Sequence, residues 1–360
     1  MTPAARITAT GAYLPERVMP NSELERLVDT NDDWIRTRTG IREQRIAAPH
    51  EAASTLGAEA VRRMLDRAEV DPATIDLVIA GTCSPDGMFP AVATRIQQAI
   101  GADRATSFDV NAACASYLLG LSIGSQYIAT GAARRVVVVG TEAITRILDW
   151  TDRNTCVLFG DGAGASLLEP AEPGEPGTLG AIVMRSDAAR ADVVYAGGPA
   201  SPLGALRQEA QIVMNGRALF RGAVTEMTNA CRQAMAMAGR SIEEIDLFVP
   251  HQANLRIMTA VARALGVSDE RMMVTIDRYA NTSSATLPIA LAEAQASGRL
   301  RPRDRVLLCT IGVGLTWGAT VVEWAAQRGE PADASCAAAA APEARAATPT
   351  AGQRSAPVYL

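Results

Sequence analysis

The sequence predicts a duplicated α/β fold, in which two related halves each combine apolar strands with amphipathic helices. Three observations carry this. Short continuous apolar runs, such as 136–139 and 306–309, read as strands buried on both faces. They alternate with stretches of helical apolar spacing, 53–67 and a segment ending near Gly239. The same order of signals then occurs twice along the 360 residues.

In the first half, the helix 53–67 leads through Asp71-Pro72-Ala73-Thr74 into an apolar strand at 75–79. A second strand, 107–110, reads as a buried strand end that runs into a helix from Ala115, with apolar spacing at Leu118, Leu119, Ile123, Tyr127 and Ile128. Thr130-Gly131 stops that helix, Arg134 and Arg135 suit its negative end, and 136–139 is the next strand. Phe159-Gly160-Asp161-Gly162-Ala163-Gly164 is followed by a strand pattern at 165–168 and not by a helix, which excludes a dinucleotide-binding fingerprint. In the second half, Ser241-Ile242-Glu243-Glu244 leads into the strand 245–249, which Pro250 stops before a new helix. An apolar strand at 272–276 and a helix at 285–296 follow, then Gly298, Arg303 and Arg305 before the strand 306–309. The halves are bounded as 1–170 and 171–326. Residues 327–360 turn to Ala, Pro, Thr and Ser without amphipathic period and read as a flexible tail.

Composition narrows the function. A net charge of −5 without a basic stripe argues against nucleic-acid binding. No signal-peptide core and no membrane-length apolar run is present, so a cytoplasmic protein is expected. The six cysteines (Cys83, Cys114, Cys156, Cys231, Cys309, Cys336) lack metal-site spacing, so neither a zinc site nor a disulfide framework is expected. Only His50 and His251 can supply an imidazole, and His50, in a proline-marked approach to a helix, is expected at the surface.

Four segments carry chemistry. Cys114 lies where a strand runs into a helix, and a helix N-terminus favours a thiolate; a buried structural cysteine is the alternative reading. His251 follows the strand 245–249 and is the repeat counterpart of the loop Gly81-Thr82-Cys83, which aims it at a shared cleft. Asn281 stands in a polar stretch from Asp277 to Pro288, whose residue types also suit an ordinary helix cap. Finally, Ile311-Gly312-Val313-Gly314-Leu315-Thr316-Trp317-Gly318 allows backbone N–H groups to approach a reacting carbonyl.

Together these segments resemble the ketosynthase III family of the thiolase fold, the β-ketoacyl-acyl-carrier-protein synthases that start fatty-acid chains. The resemblance runs from about Arg6 to Trp324 and rests on Ala112-Ala113-Cys114, Pro250-His251-Gln252-Ala253-Asn254, Asn281-Thr282-Ser283 and Gly314-Leu315-Thr316-Trp317-Gly318. Asp33-Trp34-Ile35, Arg38-Thr39-Gly40-Ile41-Arg42 and Thr151-Asp152-Arg153 add to it. It implies a thiolase-like fold, two duplicated αβαβα halves forming a five-layered sandwich. It also implies an acyltransferase in which Cys114 takes an acyl group from acyl-CoA, and malonyl-carrier protein then loses CO2 and attacks the acyl-cysteine. His251 and Asn281 would donate hydrogen bonds to the enolate oxygen, and the backbone N–H groups of Cys114 and Val313 would hold the second oxyanion. Trp34, Arg38, Arg153, Gly216 and Asn254 are implied CoA contacts, and Gln252, Ala253, Asn254, Leu255 and Arg256 the acyl-carrier-protein contact. Phe89 and Ile311 would line the acyl pocket, Phe89 that of the partner subunit in a homodimer. The substrates serve in place of any cofactor, and no metal, nucleic acid or membrane is implied.

The sequence departs from the family pattern in places. Ile311 stands where Phe is usual, Val313 where Gly or Ala is usual, Ala280 where Gly is usual, and Ala115-Ser116-Tyr117 replaces a small-Gly-aromatic run. These departures raise an alternative: a priming enzyme or non-decarboxylating acyltransferase of a specialised-metabolite pathway.

Overall fold

The structure, a computed structural model, describes residues 4–172, 175, 177–198 and 211–329. Two sheets form the frame. The first is built from β1 (Ala5–Tyr13), β4 (Leu77–Gly81), β5 (Thr106–Val110), β6 (Val136–Glu142) and β7 (Gly162–Pro170), in the order β1-β7-β6-β4-β5. The second is built from β8 (Val183–Ser186), β11 (Leu247–Pro250), β12 (Arg305–Gly312) and β13 (Thr316–Glu323), in the order β11-β12-β13-β8. Short hairpin-like pairs join β2 (Arg17–Pro20) to β3 (Glu43–Ile46) and β9 (Val194–Tyr195) to β10 (Val213–Met214).

The duplication extends to the order and direction of four strands in each sheet. In each sheet a parallel pair (β4 with β6, β11 with β12) is followed by two antiparallel neighbours. The entry to that pair repeats an aspartate contact. The Asp76 carboxylate accepts from the N–H groups of Arg134 and Arg135 as the chain enters β6, and Asp246 accepts from the N–H of Arg305 as it enters β12. One strand is missing from the second copy. The expected strand 272–276 is only a single parallel bridge between Met272 and Phe248, where the first half has all of β5.

Helices fill three layers. Helices α3 (Ala53–Ala68) and α4 (Val92–Ile100) cover the outer face of the first sheet, burying Leu56, Val61 and Met64 against Val78, Val137 and Leu167. Helices α6 (Gly216–Ala238) and α7 (Leu255–Leu265) cover the outer face of the second, around Phe248, Leu307 and Cys309. Between the sheets lie α5 (Ser116–Ala129) and α9 (Thr286–Ala296), where Leu118, Leu121, Leu287 and Leu291 meet Leu77, Ile79, Val249 and Leu308. These two central helices are apolar all round, as burial between two sheets demands. The αβαβα order is therefore that of the whole molecule; each half supplies one sheet, one outer layer and one central helix. The short helices are α1 (Asn21–Leu24), α2 (Asp32–Thr39) and α8 (Ile276–Tyr279).

Three expectations need correction. Strand β5 is half-exposed because it is the edge of its sheet, not a buried strand. The strand expected to finish at residue 249 runs one residue further: Pro250 is the last ladder residue of β11, opposite Cys309, where the missing proline N–H is not needed. The tail begins later than residue 327: the Gln327 amide donates to the Ile7 carbonyl, and the Arg328 guanidinium pairs with Glu169. Residues 330–360 lie outside the described residues.

Candidate active site

The parallel strands of both sheets end on one cavity of about 660 Å³. Cys114, His251, Asn281, Gly312 and Val313 all line it, so the residues drawn from four separate segments meet. Cys114 is carried by a 3-10 turn, Ala113–Ala115, that leads into α5. Ala113 holds that turn in a left-handed conformation (φ 46), which aims the next residue away from the sheet. From the other half, the Thr310 hydroxyl donates to the Cys114 carbonyl at 3.0 Å. Gly312 lets β12 run directly against this turn: a Cβ there would stand 3.0 Å from the Cys114 nitrogen.

Burial acts on the ionisation of Cys114. Desolvation pushes the Cys114 thiol up to about 12, the nearby Glu142 carboxylate adds to this, and hydrogen bonds from Ser283 and from the Cys114 N–H only partly offset it. Desolvation in the cavity thus opposes the thiolate that a helix N-terminus favours, and the thiol is the form that burial stabilises. His251 is 2% exposed, and desolvation lowers its pKa to about 3, so the ring is neutral. Its Nδ1 lies 2.7 Å from the Thr286 hydroxyl. The Asn281 Oδ1 accepts from the Ser283 N–H at 2.8 Å, which leaves its NH2 group as the free end.

Behind these groups lies a polar floor that sequence reasoning missed. Glu142, fully buried at the end of β6, accepts from the Thr82, Ser84 and Ser284 hydroxyls and from the Cys83 and Ser84 N–H groups. Cys83 shares the cavity wall, its thiol 3.5 Å from the Ser283 hydroxyl. The lone acid after the apolar run 136–139 was the available signal for Glu142, but the partners converge only in the fold. The apolar wall was missed as well: Ile144, Ile147, Phe159, Val194, Ile212 and Met214 extend the cavity away from Cys114.

The outer residues sort less evenly. Arg153 stacks over the Trp34 ring at 4.7 Å and Arg38 lies over it at 5.7 Å, bringing the three expected CoA contacts together at the rim. Gly216 lines the cavity at the start of α6. Asn254 lines it too, but its amide is engaged, capping α7 through the Arg256 N–H and donating to the Arg38 carbonyl. Gln252 is not a surface contact. It is 1% exposed and its amide bridges the carbonyls of Pro250 and Met273 to the N–H groups of Thr275 and Ile276. Burial leaves it no atom for a partner protein. Ala253 and Leu255 are half-buried, and only Arg256 of that segment is exposed. Ile311 lines the cavity, whereas Phe89 is 82% exposed and lies off it. His50 is exposed, as expected.

Known proteins share this plan. A family model described as 3-oxoacyl-[acyl-carrier-protein (ACP)] synthase III matches residues 108–188, and the model of that family's C-terminal part matches 235–324. The chain is 49% identical over 327 residues to the β-ketoacyl-[acyl-carrier-protein] synthase III of Roseiflexus sp. (strain RS-1), covering 89% of this chain and 99% of that one. Among solved structures it is similar to the β-ketoacyl-[acyl carrier protein] synthase III of Thermus thermophilus, with a TM-score of 0.84, 42% identity, and 89% and 99% of the two chains covered. It is also similar to the priming β-ketosynthase from the R1128 polyketide biosynthetic pathway, with a TM-score of 0.85, 35% identity, and 90% and 97% covered.

Proposed function

The chain belongs to the 3-oxoacyl-[acyl-carrier-protein] synthase III family, and from that premise we propose how its own residues divide the reaction. The activity is that of a β-ketoacyl-acyl-carrier-protein synthase III, an acyltransferase that initiates fatty-acid chains by condensation; the alternative of a priming enzyme or non-decarboxylating acyltransferase of a specialised-metabolite pathway is not favoured. The Cys114 sulfur attacks the thioester carbonyl of acyl-CoA; the S–acyl bond to Cys114 forms, that to CoA breaks, and the thiol proton leaves with CoA. Malonyl-carrier protein then loses CO2, and the resulting enolate carbon displaces the Cys114 sulfur. One proton is taken up there, restoring the thiol and releasing the 3-oxoacyl-carrier protein.

Two oxyanions need stabilising, and the groups proposed for them carry no charge. The His251 ring and the free NH2 of Asn281 serve the enolate oxygen, and the N–H groups of Cys114 and Val313 serve the acyl-cysteine carbonyl. In a desolvated site, neutral donors avoid the cost of burying a cation. The observation that supports this division best is the Asn281 amide, whose oxygen is occupied by the Ser283 N–H and whose NH2 is therefore the end available to substrate. Trp34 and Arg153 are proposed to hold the adenine of CoA and Arg38 its phosphates, with Gly216 beside the pantetheine arm and Arg256 facing the acidic carrier. The reading uses acyl-CoA and malonyl-carrier protein as substrates and no resident cofactor or metal.

A homodimer is part of the proposal. The edge strand β5 is half-exposed with Phe108 and Val110 on it, and Met88 and Phe89 stand out at 68% and 82% exposure, which suits a second copy covering them. A cytoplasmic location rests on the five free cysteines among the described residues. No helix among the described residues is long and apolar enough to cross a membrane. The test is incubation with acyl-CoA and malonyl-carrier protein, following the mass of the enzyme and the release of CO2. Cys114→Ala must abolish the acyl-enzyme adduct; acyl-Cys114 without any CO2 release would overturn the condensation steps.

A further inference from the structure

His251 is neutral, so its ring carries a single N–H, and only the Nε2–H form can donate into the cavity. What selects that form is a question of the Thr286 hydroxyl. That hydroxyl has one proton and two acceptors in reach: the His251 Nδ1 at 2.7 Å and the Ser283 carbonyl at 3.0 Å. If the proton goes to Ser283, the hydroxyl accepts from Nδ1–H and Nε2 is left bare. If it goes to Nδ1, Nε2 must carry the ring proton.

Two observations favour the second arrangement. A separation of 2.7 Å is usual for an O–H donor and short for a ring N–H, while 3.0 Å is long for O–H to a carbonyl. The repeat supplies an internal control. Ser116 opens α5 as Thr286 opens α9, and with no imidazole beside it the Ser116 hydroxyl donates to the Ala113 carbonyl at 2.6 Å. At Thr286 the same contact, to the carbonyl three residues back, is 0.4 Å longer (3.0 against 2.6 Å) and the shorter bond goes to His251.

We propose that Thr286 is the positioning residue that sets the His251 tautomer, its hydroxyl donating to Nδ1 so that Nε2–H faces the enolate oxygen. This rests on the condensation reading above and adds to it the group that makes His251 a donor. While the hydroxyl proton stays on Nδ1, the ring proton is confined to Nε2 and the ring keeps one form through both half-reactions. Removing it should spare the first half-reaction, which needs the Cys114 thiol, and slow the second, which needs the Nε2–H donor.

The experiment compares Thr286→Val, of the same shape, with Thr286→Ser, which keeps the hydroxyl. Acyl-enzyme formation should stay within about threefold of the parent in both, while CO2 release should fall about tenfold or more in Thr286→Val and recover in Thr286→Ser. The tautomer itself is read by long-range 1H–15N correlation on protein labelled at histidine. With two histidines in the chain, His50→Gln leaves one ring to assign. A protonated Nε2 and bare Nδ1 are expected in the parent. A protonated Nδ1 in the parent, or unchanged CO2 release by folded Thr286→Val, would overturn the proposal. The spectrum needs no substrate and decides even where Thr286→Val fails to fold. Failure of the condensation reading would instead appear as a parent enzyme that is never acylated or releases no CO2.

Discussion

Replacing Gly312 by Ala adds one methyl group where there is no room for it. The new Cβ would lie 2.9 Å from the Ala115 nitrogen and 3.0 Å from the Cys114 nitrogen, and would drive into the Ala112 carbonyl oxygen. All three are backbone atoms of the turn that presents Cys114, so no side chain can swing away. Relief requires β12 and the Cys114 turn to separate by several tenths of an ångström. That separation also pulls at the Thr310 hydroxyl bond to the Cys114 carbonyl. Overpacking of this kind costs about 1–3 kcal/mol of stability. The catalytic loss should be larger, because a shift approaching 1 Å at a reacting group costs about 100-fold in rate. The assay is single-turnover acylation by acyl-CoA, followed by intact mass, beside thermal unfolding of the same preparation. Gly312→Ala acylating at the parent rate with an unchanged Tm would refute the close approach of the two halves at this point.

Other outcomes follow from the same geometry. Trp34→Ala removes the ring under Arg153 and Arg38, and should raise KM for acyl-CoA about tenfold with little change in the saturated acylation rate. For His251 the folded pKa, about 3, lies below the unfolded value of 6.5, so below pH 6.5 the unfolded chain binds the extra proton. Its contribution to stability is therefore intact above pH 6.5 and is lost on acidification toward pH 3, by up to about 1.4 kcal/mol per pH unit; denaturant titrations of the parent and His251→Phe should diverge in that window. Gln252→Ala strands two carbonyls and two N–H groups and should cost about 2–4 kcal/mol in urea unfolding, whereas exposed Arg256→Glu should leave stability alone and weaken carrier-protein binding in a salt-dependent way.

The duplication was legible because its signals are local: a capped turn, an aspartate, an apolar run, each within a dozen residues. The strand expected at 272–276 shows where local pattern fails. Met272-Met273-Val274-Thr275-Ile276 satisfies strand preferences, yet one side chain from the neighbouring loop decides otherwise. The Gln252 amide takes the Met273 carbonyl and both the Thr275 and Ile276 N–H groups, and the Arg299 guanidinium reaches the Met272 carbonyl. Backbone groups satisfied in this way have no need of a ladder. The same glutamine was placed on a carrier-protein surface by family resemblance of the segment 252–256, and only the fold shows that four backbone groups occupy its amide. Cys114, His251 and Asn281 were placed correctly in one cleft, but the ionisation of Cys114 was not. A helix N-terminus is visible in sequence; the desolvation that outweighs it depends on walls contributed by both halves.

Those walls share a common device. Five non-glycine residues among those described have positive φ; two of them, Ala113 and Ser283, line the cavity and a third, Ala280, precedes Asn281. Ala113 and Ser283 are repeat equivalents: each opens a 3-10 turn, Ala113–Ala115 or Ser283–Ala285, that feeds a central helix. Strain of about 1–3 kcal/mol at each is tolerated because the two turns lock each other's surroundings across the cleft. Their second residues then diverge. In the first half that position is Cys114, open to the cavity; in the second it is Ser284, fully buried, with its hydroxyl on Glu142 and near the Gly81 carbonyl. One copy of the turn presents a thiol to the cavity. The other has turned inward to hold the floor, while its flanking residues Asn281, through Ser283, and Thr286, through His251, orient the groups proposed to meet the enolate. The asymmetry of a two-stage reaction is thus written onto a symmetric fold at a single equivalent position and its neighbours.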